Sequence, residues 1–119
     1  MSNQVQKRVT DILLTIGIPA HIWGYHFLRH GIVLAIQTPD ITDAITKRLY
    51  PAIAQQFNST PSRVERSIRH AIEVCWARGK LENLNEIFGV NIYDKNDRPT
   101  NRELVSLIAD KLLIEDTVL

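Results

Sequence analysis

PAIAQQFNST, residues 51–60, runs directly into PSRVERSIRHAIEVCWARG, residues 61–79, and what the chain does at that junction sets the architecture. Thr60 is a good helix N-cap, Pro61 suits the first helical position because its missing N–H needs no partner there, and Gly79 suits a left-handed close. A helix is therefore predicted over 61–78. At about 100° per residue, counted from Arg63, the residues Val64, Ile68, Ala71 and Cys75 fall within an arc of about 80–140°. Ser62, Arg66, Arg69, His70 and Glu73 join Arg63 on an arc of about 240–360°. One side of this helix packs, and the other presents cations to the outside.

The stretch before it is a shorter helical segment followed by a turn. Ala54 is small enough for two helices to cross, Phe57 is apolar, and Asn58 stands where a left-handed residue is wanted, a conformation Asn tolerates better than most. Val64 supplies the apolar position further on. Together these offsets predict a helix-turn-helix. Ser67 departs from the pattern, since an apolar residue is common there and Ile68 takes that role one place later.

Working outward, every periodic segment reads as helix. Val5 to Ile16 carries apolar residues at 5, 9, 12, 13 and 16, with Gly17 and Pro19 as the stop. A second stripe runs through Ile22, Tyr25, Leu28, Ile32 and Ala35 to Thr38-Pro39. Gly24 and Gly31 weaken that helix by about 1 kcal/mol each relative to Ala, so packing must hold it. Asp40 is the expected cap of a third segment through Ile41, Ile45 and Leu49, with Pro51 either kinking it or starting a new turn. Asn83 with Glu86, and Thr100 with Glu103, form two capping-box pairs. The first opens a short helix ending at Gly89; the second opens a last helix through Leu104, Leu107, Ile108 and Leu112. Residues 90–99 read as a loop with a brief extended piece at Val90 to Tyr93, and the tail after Ile114 is expected to fray. The fold class expected is all-α, a compact single domain of about six helices, residues 1–119 with a core from 5 to 114. A chain of 119 residues is long enough to bury roughly two thirds of its unfolded surface.

The net charge of +1 conceals a segregation. Residues 1–43 balance three bases against three acids. Residues 44–81 set Lys47, Arg48, Arg63, Arg66, Arg69, Arg78 and Lys80 against Glu65 and Glu73, a net +5, and residues 82–119 set four bases against eight acids, a net −4. A basic middle in a neutral chain points to a polyanionic partner for one face. The single cysteine, Cys75, lies on the apolar arc of its helix and reads as a packing thiol. With no membrane-length apolar run and no signal-peptide pattern at MSNQVQKRV, a cytoplasmic location without membrane association is expected.

Double-stranded DNA fits that polyanion. A recognition helix offers its N-terminal residues to base edges in the major groove, so Arg63 and Arg66 are placed for bidentate bonds to guanine O6 and N7. Glu65 can accept from cytosine N4 if the helix tilts. Arg69, His70, Ser59 and Thr60 lie where phosphates are met, helped by the helix N-terminus, and Ser62 stands on the same exposed DNA-binding face. The competing interpretation is a solvated arginine face held by pairs four residues apart, Arg69 with Glu73 and Glu65 with Arg69.

LYPAIAQQFNSTPSRVERSIRHAIEVCWARG resembles the C-terminal effector domain of the stage-zero sporulation protein A family, response regulators that control entry into sporulation in endospore-forming bacteria. The similarity extends upstream to IGIPAHIWGYHFLRHGI and downstream through NLNEIFGV and PTNRELVSLIADKL, covering roughly residues 11–113. The resemblance implies a six-helix domain that binds a short promoter element as a homodimer or tandem copies, activates or represses transcription, and meets RNA polymerase. It further implies that Arg63, Glu65 and Arg66 read bases and that the terminal helices help dimer contacts. The family's usual protein carries a receiver domain ahead of this one and none is present here, which fits either a dissected effector domain or an effector-only chain. Trp23 and Gly31 also stand where the family would have a polar residue and a better helix former.

Other chemistries find less support. His26 and His30 are four apart with His21 nearby, a zinc-compatible spacing, but no Cys partner or metalloprotease Glu accompanies them, so surface or phosphate-facing histidines are expected and no metal. No phosphate-cradling glycine loop, paired carboxylates or nucleophile triad appears, so neither enzymatic activity nor a cofactor is expected. A different class of function is a protein-interaction module that pairs with or antagonises a full-length sporulation regulator through its acidic last third or its exposed aromatics.

Overall fold

The computed structural model describes residues 3–89, 91 and 97–118. Six α-helices follow in order: α1 (Asn3–Thr15), α2 (Trp23–Gln37), α3 (Tyr50–Phe57), α4 (Pro61–Ala77), α5 (Asn83–Phe88) and α6 (Asn101–Val118). There is no strand among the described residues. The radius of gyration, 13.2 Å, is that of a close-packed chain of this length.

The helix ends are set by local chemistry. The chain leaves α1, α3 and α4 through Gly17, Asn58 and Gly79, each at positive φ. At each, the following N–H reaches back five residues: Ile18 to Leu13 O, Ser59 to Ala54 O and Lys80 to Cys75 O. That is the Schellman closure, which satisfies carbonyls the helix itself cannot. The capping box at the start of α6 forms in both directions, with Thr100 N–H donating to Glu103 Oε1 at 2.9 Å and Glu103 N–H to Thr100 Oγ1 at 3.1 Å.

Three local expectations give way to longer-range partners. Asp40 caps nothing; it lies inside a 3-10 turn (Pro39–Ala44) and its carboxylate pairs with Arg48 at 3.5 Å. The chain then widens into a π-helical turn (Ile45–Leu49) before α3. A regular α-helix cannot run through Pro51, which lacks the N–H and crowds the carbonyl four residues back, whereas the first turn of a new helix accepts it. Asn83 does not form a box with Glu86; it is already inside α5, and its Nδ2 donates to Thr15 O at 2.8 Å, satisfying the open end of α1. The last helix does not stop near Ile114 but continues to Val118, and Glu115 pairs with Arg8 of α1 at 3.2 Å. The extended piece expected at Val90 to Tyr93 falls outside the described residues apart from Asn91.

α2 is the hub, packing on α1, α4 and α6. Its Phe27, Leu28 and Ile32 are sealed together with Val9, Ile12 and Leu13 of α1, Val64 and Ile68 of α4, and Leu104 and Ile108 of α6. Each such side chain contributes roughly 1.5–3 kcal/mol through burial. Of the glycines, Gly24 has the least room. A Cβ there would lie 2.3 Å from the Ser67 carbonyl oxygen and 2.7 Å from Ala71 Cβ. At Gly31 the obstacle is only the tip of Ile53, 2.9 Å away.

Gly24→Ala should therefore lower the urea midpoint by an amount equivalent to about 1–3 kcal/mol, because backbone cannot step aside. Gly31→Ala should stay within about 1 kcal/mol of wild type, since Ile53 can rotate and alanine favours the helix. Equal midpoints for the two variants would mean that α2 and α4 have room to spare.

Candidate nucleic-acid interface

The junction quoted at the outset is realised as two helices joined by residues 58–60. Asn58 sits at φ 52° and ψ 49°, the one non-glycine residue at positive φ among those described. Thr60 Oγ1 accepts from the Arg63 N–H at 3.2 Å and Pro61 opens α4. α3, the turn and α4 thus have the connectivity of a helix-turn-helix. The helical wheel holds as well: Val64, Ile68, Ala71 and Cys75 are fully buried, while Ser62, Arg63, Arg66, Arg69 and His70 are exposed.

The arginines of α4 differ in their engagements. The side chains of Arg63 and His70 make no hydrogen bond or ion pair among the described residues. Arg66 uses only its Nε, in a long 3.4 Å bond to Ser62 O, which leaves the terminal nitrogens of the fork open. Arg69 pairs with Glu65 at 3.4 Å across one helical turn, an arrangement worth about 0.3–0.5 kcal/mol when exposed. Glu73 pairs not with Arg69 but with Arg98, at 3.9 Å, and the Arg98 guanidinium also lies 5.9 Å from the centre of the Trp76 ring. Ser59 departs from the other expected contacts, because its Oγ is closed off from solvent and has no partner.

Neighbouring elements bring in further residues, of which the sequence marks only His21, as a surface or phosphate-facing histidine. On one side of α4, His21 and Trp23 line a cleft together with Arg63, Arg66 and His70. On the other side, Arg98 and Arg102 line a second cleft with Glu65 and Arg69. The second is anchored by Asn101, whose Nδ2 donates to Tyr50 Oη and to Glu65 O, each at 3.1 Å. Burial raises the Tyr50 pKa, so this hydroxyl remains protonated. In sequence, Arg98 and Arg102 were visible only as bases flanking a capping box; nothing local told which helix that box would face.

His21 and His70 line the first cleft, and the other two histidines pack against aromatic rings. His26 meets Trp23 and Tyr25 edge-on and His30 meets Phe57 edge-on. Burial, and then the adjacent Arg29, lower the His30 pKa and favour its neutral ring. No group of three or more metal-ligating side chains occurs among the described residues, and no helix among them is long and apolar enough to cross a membrane.

With this geometry in view, comparison with known protein families gives a match over residues 9–112 to the model described as sporulation initiation factor Spo0A C terminal.

The packed side of α4 supplies its own check. Cys75 is fully buried and its Sγ donates to Ile72 O at 3.2 Å. Burial pushes the thiol from 9.0 up to about 12. Because the folded value is the higher one, this group contributes stability that is intact below pH 9 and is lost as pH rises from 9 towards 12, where the unfolded chain ionises first. Iodoacetamide at about pH 8 should leave the native chain unmodified and alkylate it in urea, since only an accessible thiolate reacts. Rapid alkylation of the folded chain would show that α4 does not seal its apolar face.

Proposed function

The chain belongs to the family of the sporulation initiation factor Spo0A C-terminal domain, and from that premise we propose that it binds double-stranded DNA sequence-specifically through α4 and acts as a transcription regulator of the sporulation type. The observation that carries this reading is the state of the arginines at the start of α4. Two guanidinium groups, Arg63 and Arg66, stand exposed on the open side of α4 about one turn apart, with their terminal nitrogens unpaired among the described residues. Unpaired, planar, five-donor groups at the first turns of a helix that follows a left-handed turn suit guanine O6 and N7 in the major groove.

The remaining side chains divide by position. Thr60 and Ser62 lie at the N-terminus of α4, where a phosphate gains from open N–H groups and the helix dipole. Arg69 and His70, a turn further on, meet phosphate. Glu65 engages Arg69 through Oε2, so its other oxygen can accept from cytosine N4. Ser59 is left out of the contact set, because a hydroxyl closed off from solvent does not meet a phosphate.

Each bidentate arginine–guanine pair discriminates by about 1–3 kcal/mol, whereas a phosphate contact carries no sequence information. Arg66→Ala should therefore lose preference for one guanine of a selected site. Arg69→Ala should weaken matched and scrambled duplexes alike and make the salt dependence shallower by about 0.9 in log K per log salt. Gel retardation of both duplexes across a salt series reads both effects. Identical behaviour of the two variants would remove the base-reading assignment. A duplex that is never retarded, together with co-elution of a full-length regulator, would support the interaction module instead.

A further inference from the structure

The two clefts beside α4 are related by the geometry of that helix. Counted again from Arg63 at about 100° per residue, the α4 residues lining the first cleft (63, 66, 67 and 70) centre near about 350°. Those lining the second (65, 69 and 72) centre near about 205°. The sealed residues Val64, Ile68, Ala71 and Cys75 centre near about 110°. Between the clefts, near about 280°, runs the ridge of Ser62, Arg66 and Glu73. α4 is thus a ridge with a lined trough on either flank, both troughs on the side away from the core.

We propose that these troughs form a two-strand saddle: the cleft at His21 and Trp23 seats the phosphodiester backbone of one DNA strand, and the cleft at Arg98 and Arg102 seats that of the complementary strand. The inference rests on the proposed insertion of α4 into the major groove. A helix with its side chains is about 10–12 Å across and the groove is about 12 Å wide, so its tip faces bases and its flanks face the two backbones.

Both troughs are fixed before any duplex arrives. In the first, the start of α2 is held against α4 by the glycine contact at Ser67. Trp23 stands 61% exposed yet is braced, stacked on Phe27 at 5.6 Å and edge-on to Phe57 at 6.2 Å. An indole offers one N–H donor, no acceptor, and an apolar face. That combination suits a phosphate oxygen beside a deoxyribose, and His70 shares the trough. The second trough is held by Asn101, which bonds to the Glu65 carbonyl. Arg98 is positioned by Trp76 and Glu73, and Arg102 has no ion pair among the described residues. Its carboxylate, Glu65, is already engaged by Arg69. An apolar partner would gain little from either trough, since both are rimmed by cations.

The test uses the full chain and a duplex that the wild-type chain recovers from a random-sequence pool. Single uncharged methylphosphonates are then scanned along each strand. The wild-type chain should be weakened by substitutions on both strands, flanking the guanines it protects. Trp23→Phe, which keeps an aromatic ring on Phe27, should remove the sensitivity of a phosphate on one strand only, and Arg102→Ala that of a phosphate on the other only. Arg102→Ala should also lose about 3.5-fold less affinity than wild type between 50 and 200 mM salt, the share of one phosphate. Unchanged urea midpoints show that the variants are folded. Guanine-dependent binding with sensitivity on a single strand, or with both variants acting at the same phosphates or at none, would overturn the saddle and leave base reading intact. Recovery of no duplex at all would overturn both.

Discussion

Two helix backbones touch where residue 24 has no side chain, and the functional surface is arranged around that contact. The Ser67 carbonyl and the Ala71 methyl occupy the space a Cβ at position 24 would need. Because they do, α2 lies close enough to seal Ile68 and Ala71 completely. The same approach sets Trp23 alongside Arg63 and Arg66 instead of over the core. At the second residue of α2 a glycine costs at most about 1 kcal/mol of helix propensity, less than the burial of even one isoleucine contributes, so the packing term wins. Ser67, odd as a helix-turn-helix residue, makes sense here: it is the backbone of residue 67 that α2 meets.

Charge is sorted with comparable economy. Three carboxylates pair with arginines that lie outside α4, Glu115 with Arg8, Asp40 with Arg48 and Glu73 with Arg98, while Glu65 pairs with Arg69 on α4 itself. Arg78 donates to the Gly17 carbonyl at 3.3 Å, and Arg29 lies 5.6 Å from the centre of the Tyr25 ring. Surface pairs of this kind contribute at most about 1 kcal/mol each to stability. Their consequence is spatial. They occupy cations away from the start of α4 and leave those at the start of α4 open, which is how a chain of net charge +1 presents unpaired guanidinium groups there.

What was legible in the sequence follows from the range of each interaction. Asn58, Thr60, Pro61 and Gly79 act on backbone within five residues, and all four appear in the expected roles. The division of α4 into sealed and open arcs was also legible, because helical periodicity is local. Asp40 and Asn83 were misassigned for the opposite reason. Each has a cap-like sequence context but a better partner elsewhere, Arg48 for one and the end of α1 for the other. The troughs could not be read at all. His21, Trp23, Arg98 and Arg102 reach α4 only through the way α2 and α6 pack, and no spacing along the chain encodes which helix lies beside which.

Glu65 shows how the two levels bear on one residue. Sequence alone allows it to read a cytosine, and the family resemblance implies the same role. In the folded chain it faces the second trough, its backbone oxygen held by Asn101 and its carboxylate by Arg69. The ion pair is no lock: at about 0.3–0.5 kcal/mol it is weaker than a good base contact of about 1–3 kcal/mol. The constraint is instead directional. A carboxylate on the flank of α4 that stayed there beside a phosphate strand would be repelled, so on the proposed saddle Glu65 has two tolerable states. Either it keeps Arg69 as a screen between itself and the backbone, or α4 rolls towards the second trough and carries the carboxylate down to a cytosine amine while Arg69 turns to phosphate. The bond from Asn101 to the Glu65 carbonyl resists that roll, and the first state is the one the free chain already adopts.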